Sequence, residues 1–136
     1  MSSEAIRRDR PLEPSADCRP PEIAAYESLP NDALVERIQR VRNEMGSRLL
    51  ILGHHYQQDE VIGLSDLRGD SYQLSQQAAA NEQCRAIAFC GVHFMAETAK
   101  IVNPGRLVLL PEPEAGCSLS DSCPACLLYT SDAADE

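Results

Sequence analysis

No apolar run in this chain approaches the roughly 20 residues that a membrane-spanning helix needs. The N-terminus carries arginines but lacks the apolar stretch of a secretory signal, so a cytoplasmic location is expected. Basic residues are outnumbered by acidic ones, 12 against 21, for a formal charge of −9. That balance argues against nucleic-acid and anionic-membrane partners, which require a local excess of Lys and Arg. A small anionic substrate remains compatible, because helix N-termini and a few cationic groups bind one against the overall field. Internal repeats are absent. Without a secretory signal the six cysteines are poor material for disulfides, and metal ligation or buried thiols fit better.

What is present is 136 residues with 43 % hydrophobic content, enough for one globular domain with its own core. Residues 1–28, rich in charge, Ser and Pro, read as a flexible leader. Residues 29–125 read as the domain, and 126–136 as an atypical tail that is not native. Asn31 or Asp32 caps a helix with apolar positions Leu34, Ile38, Val41 and Met45, and Gly46 stops it. An apolar run over 48–52 is continuous rather than alternating, as in a parallel strand covered on both faces. A short helix is expected over 59–67, then a helix over 72–82 capped by Asp70 or Ser71 with Leu74 and Ala78 inward. Residues 85–90 and 106–110 read as strands. Between them a helix over 92–102 has Phe94, Met95, Ala99 and Val102 as core positions. Alternating strands and helices imply an α/β fold, a three-layer sandwich on a short parallel sheet. In such sheets ligands bind outside the carboxyl ends of the strands. His54, Gly91 and the Cys117 loop each follow a strand, so all three are expected at one edge.

Several residues there can carry chemistry. His54-His55-Tyr56 comes where the first strand leaves the core, and imidazole can bind a carboxylate, move a proton or ligate a metal. In an extended chain only one of the two histidines can face the cleft. Gly69-Asp70-Ser71 reads as a turn and helix cap whose hydroxyl and free N–H groups can also seat a carboxylate or phosphate. Glu97 and Lys100 read as a solvated pair on one helix. Cys84 and Cys90 flank an apolar run as core thiols. Cys117, Cys123 and Cys126 have the spacing C-x5-C-x2-C, which read locally would suit a small non-catalytic metal-binding or redox module.

The motifs GHHYQ (Gly53–Gln57), GDSYQL (Gly69–Leu74), CGVHFMAETAKIVNP (Cys90–Pro104) and LPEPEAGCSLSDSCP (Leu110–Pro124) together resemble the quinolinate synthase family, over about Asn31 to Pro124. The resemblance implies one of three pseudo-repeated α/β domains around a central 4Fe-4S cluster held by one cysteine per domain. It implies a transferase of NAD biosynthesis that condenses iminoaspartate (iminosuccinate) with dihydroxyacetone phosphate to quinolinate, with the cluster as Lewis acid. On that basis His54 and Ser71 would bind substrate carboxylate, Tyr56 would position substrate or move protons, and Cys117 would ligate the cluster. Cys123 would then be a neighbouring thiol. The other two domains would be this chain's partners, and the isolated chain would be inactive. The two readings of the cysteines separate experimentally. A local module predicts stoichiometric metal in the isolated chain that is lost on Cys123→Ser or Cys126→Ser. The domain reading predicts that only Cys117→Ser matters, and only in a longer protein, as measured by metal analysis of each variant.

Overall fold

The computed structural model describes residues 24–123. The expected tail, 126–136, and most of the expected leader lie outside these residues. The leader's last residues form a helical turn, α1 (Ala24–Glu27), with the Arg37 guanidinium lying over the Tyr26 ring at 5.6 Å. Helix α2 (Asn31–Met45) starts from Pro30, whose carbonyl accepts from the N–H groups of Ala33 and Leu34. Neither Asn31 nor Asp32 is its cap. Pro30 already supplies the extended entry, and Asp32 sits in the first turn, where the helix dipole favours an acid. Gly46 does end the helix. Its φ of 54° is open to glycine, and its N–H closes on the Arg42 carbonyl.

The strands are β1 (Leu49–His54), β2 (Leu67–Gly69), β3 (Ala86–Cys90) and β4 (Leu107–Leu109). They form one parallel sheet in the order β2-β1-β3-β4. The stretch 59–67, expected as one helix, is a single turn, α3 (Asp59–Ile62), followed by a loop and β2. Three residues carry too little periodic signal to read as a strand. Asp66 extends this short edge: its N–H donates to the Ile51 carbonyl at 2.8 Å, and its carboxylate accepts from the Ile51 N–H at 2.8 Å and pairs with Arg42.

The connections are α4 (Ser71–Ala80) between β2 and β3, and α5 (His93–Val102) between β3 and β4. A short α6 (Ser118–Asp121) follows β4. Side chains alternate along a strand, so Leu50 and Leu52 share one sheet face and Ile51 takes the other. The first face packs on α4 and α5: Leu50, Leu52, Ile87 and Phe89 meet Leu74, Ala78, Ala96 and Ala99 in the core. Phe94 proves 40 % exposed, and the small Ala96 takes its expected inward place because the helices pack closely. Helix α2 covers the other face loosely. None of its residues is fully buried, and a largely apolar cavity of about 590 Å³ lies there, lined by Ile38, Ile51, Val61, Leu64 and Ala88. Helices on both faces give the expected three layers.

The turn at Asn103 does more than end a helix. The buried Asn103 amide donates to the carbonyls of Ser75 at 3.1 Å and Ala99 at 2.9 Å, tying α4 to α5. Arg106 donates to the Ala78, Ala79 and Asn81 carbonyls at the end of α4 and to the Asn103 side-chain oxygen. Orphan carbonyls at a helix C-terminus are thereby capped by a cation, favoured by the helix dipole. Lys100 donates to the Pro104 and Arg106 carbonyls and makes no pair with Glu97, which lies instead 3.7 Å from His93. Because Arg106 serves several carbonyls at once, Arg106→Ala is expected to cost about 2–3 kcal/mol, measured as a lower urea midpoint at unchanged slope.

Candidate active site

A sheet of order β2-β1-β3-β4 reverses its winding between β1 and β3, and the carboxyl ends of those two strands flank the switch point. His54 ends β1, and Cys90 with Gly91 ends β3. His54 lies on the same face as Leu50 and Leu52 and is 5 % exposed, so the first histidine is the one built into the structure. Gly53, on the opposite face, has no room for a side chain: a Cβ there would lie 2.2 Å from the Ser65 hydroxyl. After His54 the chain turns instead of staying extended, with the Gln57 N–H donating to the His54 carbonyl at 2.9 Å. That turn overrides strict alternation. The His54 and His55 rings stack with centroids 4.4 Å apart, and Tyr56 lies 5.0 Å from the first and 4.3 Å from the second. Tyr56 is 83 % exposed, a side chain standing on the rim.

The start of α4 adjoins this cluster, because His54 pairs with Gly69 in the sheet register. Asp70 is the helix cap, its carboxylate accepting from the Gln73 N–H at 2.9 Å. Ser71 is the first helical residue, half-buried, and its hydroxyl makes no hydrogen bond among the described residues. The N–H groups of Ser71 and Tyr72 precede the first intrahelical bond, so this end of α4 retains free donors. Burial pushes the His54 imidazole below its ordinary pKa, His55 pushes it the same way, and Asp70 opposes both. His54 is therefore neutral at neutral pH. Asp70, read from sequence only as a possible cap, is also the acid whose charge acts on His54. Its place directly after Gly69, in a turn-and-cap motif, was the only signal for it.

Cys117 lies on the loop after β4, just ahead of α6, and the Ala115 carbonyl of that loop accepts from the His93 N–H at 3.0 Å. The loop is thus docked on the first turn of α5, at the same edge. Cys117 is half-buried, and while its carbonyl accepts from the Asp121 N–H at 2.9 Å, its thiol makes no hydrogen bond among the described residues, as suits a thiolate ligand. No hydrogen bond or ring contact joins it to the histidine cluster among the described residues. No group of three or more metal-ligating side chains gathers among the described residues, which include Cys117 and Cys123 but not Cys126. Burial raises the pKa of both Cys84 and Cys90, which keeps them protonated; Cys84 is the expected core thiol, while Cys90 is half-buried on the wall of the apolar cavity.

Helices on both faces of an open parallel sheet, with polar groups massed at its switch-point edge, define a doubly wound α/β domain. Residues 36–134 match the family model described as quinolinate synthetase A protein. The chain is 59 % identical over 110 residues to the quinolinate synthase of Rhodopirellula baltica, covering 73 % of this chain and 28 % of the relative. It is 52 % identical over 97 residues to that of Anoxybacillus flavithermus, and 50 % to that of Geobacillus thermodenitrificans, covering 71 % of this chain and 26 % of each. The chain belongs to the quinolinate synthetase A protein family. It spans about a quarter of the length of these relatives. No helix among the described residues is long and apolar enough to cross a membrane.

The lowered pKa of His54 has a consequence for stability. The unfolded chain, with an ordinary histidine pKa of about 6.5, takes up this proton at higher pH than the folded chain does. Stability is full above about pH 6.5 and falls as pH drops from there to the lowered folded value. His54→Asn should remove that component, so urea midpoints of the variant should fall less steeply than those of the natural sequence across the window.

Proposed function

We propose that this chain supplies one domain of a quinolinate synthase, a transferase of NAD biosynthesis acting in the cytoplasm. The reaction condenses iminoaspartate with dihydroxyacetone phosphate, releasing phosphate and water as the pyridine ring closes. What supports this most is that His54 and the open start of α4 lie at one sheet edge in a chain 59 % identical to a quinolinate synthase. A dicarboxylate substrate needs several oriented donors. His54, the Ser71 hydroxyl and the free N–H groups of α4 supply them, with the positive end of the helix dipole behind. His54, being neutral, binds a carboxylate by hydrogen bonding and needs no proton uptake. Tyr56 stands over the same rim, where its phenol can orient substrate or pass a proton as water is eliminated.

The family's iron–sulfur cluster fits one feature of this chain, the half-buried, unpartnered thiol of Cys117. A 4Fe-4S cluster needs further thiolates, and these would come from the rest of the longer protein, which is this chain's partner. When bound, an iron with an open position supplies Lewis acidity toward a carbonyl or hydroxyl oxygen.

The longer protein should restore growth of a quinolinate-requiring strain, and the 136-residue chain alone should not. In the longer protein purified without oxygen, Cys117→Ser should abolish the cluster's visible absorbance and the activity together. His54→Ala should keep the absorbance and reduce kcat/KM by about 100-fold, the loss of one charge-assisted hydrogen bond of roughly 3 kcal/mol. Complementation by the isolated chain, or a full cluster in the Cys117→Ser protein, would overturn the reading.

A further inference from the structure

The two adjacent histidines differ in what their ring nitrogens touch. His54 Nδ1 lies 3.4 Å from the main-chain nitrogen of Tyr56. A main-chain N–H only donates, so Nδ1 must offer its lone pair and the ring proton resides on Nε2. His55 Nδ1 lies 3.1 Å from the Gly69 carbonyl oxygen. A carbonyl only accepts, so here Nδ1 carries the proton and Nε2 keeps the lone pair. The same carbonyl also accepts from the His55 main-chain N–H at 3.2 Å. His55 is therefore fastened twice to the carboxyl end of β2 while its ring lies against His54, 27° from parallel.

The opposite side of the His54 ring is open. No buried side-chain nitrogen or oxygen among the described residues lacks a partner, and Nε2 has no partner there. That nitrogen consequently reaches solvent at the sheet edge although the residue as a whole is buried. The charges acting on His54 come from His55 on its own turn and Asp70 at the cap of α4, and the Tyr56 ring lies beside it at 5.0 Å.

We propose that His55 is a positioning residue: its Nδ1–H bond to Gly69 and its ring hold the turn that fixes His54 as an Nε2–H donor, with the two histidines locked in opposite tautomers. The role rests on the proposed reading of His54 as the partner of a substrate carboxylate. His55 itself touches the strand end and the His54 ring. The arrangement gives a directional donor whose proton is on the outward nitrogen before substrate arrives, with no tautomer exchange to complete on binding.

Long-range proton–nitrogen NMR on the uniformly nitrogen-15-labelled 136-residue chain, at pH about 7.5 where an ordinary histidine is neutral, reads both tautomers directly. His54 should show a pyridine-like Nδ1 and a pyrrole-like Nε2, and His55 the reverse, with peaks assigned through His54→Asn and His55→Asn. In His55→Asn the side-chain amide can still donate to Gly69, and the His54 pattern should persist. In His55→Phe the ring remains but the donor is lost, and His54 should move to averaged, exchanging tautomers. A pyrrole-like Nδ1 on His54 in the natural sequence, or averaged signals from both rings, would overturn the proposal even if His55→Phe fails to fold. An unchanged His54 pattern in a folded His55→Phe chain would overturn the role of His55. In the longer protein His55→Phe should raise KM about tenfold with a smaller change in kcat, the signature of weakened ground-state binding. The tautomers are read without turnover. An inactive longer protein would count against the quinolinate synthase reading alone, and wrong tautomers in an active one against this proposal alone.

Discussion

Parallel pairing of β1 with β3 over five residues is the constraint on which the rest of this structure depends. Parallel strands cannot be joined by tight turns, so each connection must cross a face of the sheet. The helices that make those crossings bury the apolar runs of β1 and β3. The same requirement sends every strand's carboxyl end to one edge, where the chain has to leave the core before it can return. Polar residues at that edge are thus assembled by the logic of the crossover, before any contact among them forms. Winding reverses between β1 and β3, so the connections that leave these two paired strands diverge and leave a crevice that neither crossover fills.

Within that edge, the order of residues on β1 determines their roles. Leu50, Leu52 and His54 share the face against α4 and α5, so the side chain after two core leucines is an imidazole held by the same packing. A core-borne functional group is more tightly held than one on a free loop, which suits a residue that must present one nitrogen outward. The adjoining short strand β2 serves the same end. Its last residue, Gly69, pairs with His54, accepts from His55 and leads within two residues to the donors of α4. Arg106 and Asn103, far along the chain, hold the other end of α4 against α5 and β4. The site's helix is thereby fixed at both termini, by Asp70 at its start and by these two at its end.

Much of this was legible in the chain. Continuous apolar runs marked β1 and β3, Gly46 marked the stop of α2, and the Gly-Asp-Ser turn marked the start of α4. The failures have specific causes. β2 was hidden because three residues have no measurable period. Phe94 has the hydrophobicity of a core residue, yet its ring is left exposed while the small Ala96 of the same helix is buried. Glu97 and Lys100 have helical spacing for a pair, but the lysine's three donors are better used by carbonyls that would otherwise be orphaned.

The sequence by itself determined the fold class, the sheet edge where the candidate residues gather and the family, because hydrophobic period, turn residues and motif order are local properties. It also singled out His54, Tyr56, Ser71 and Cys117. Tertiary structure alone decided which histidine is buried, which main-chain group each Nδ1 meets, and which acid acts on His54. Those properties depend on main-chain groups of Tyr56 and Gly69 and on the charge of Asp70. The main-chain groups are identical at every residue, and only folding selects which of them meets an imidazole.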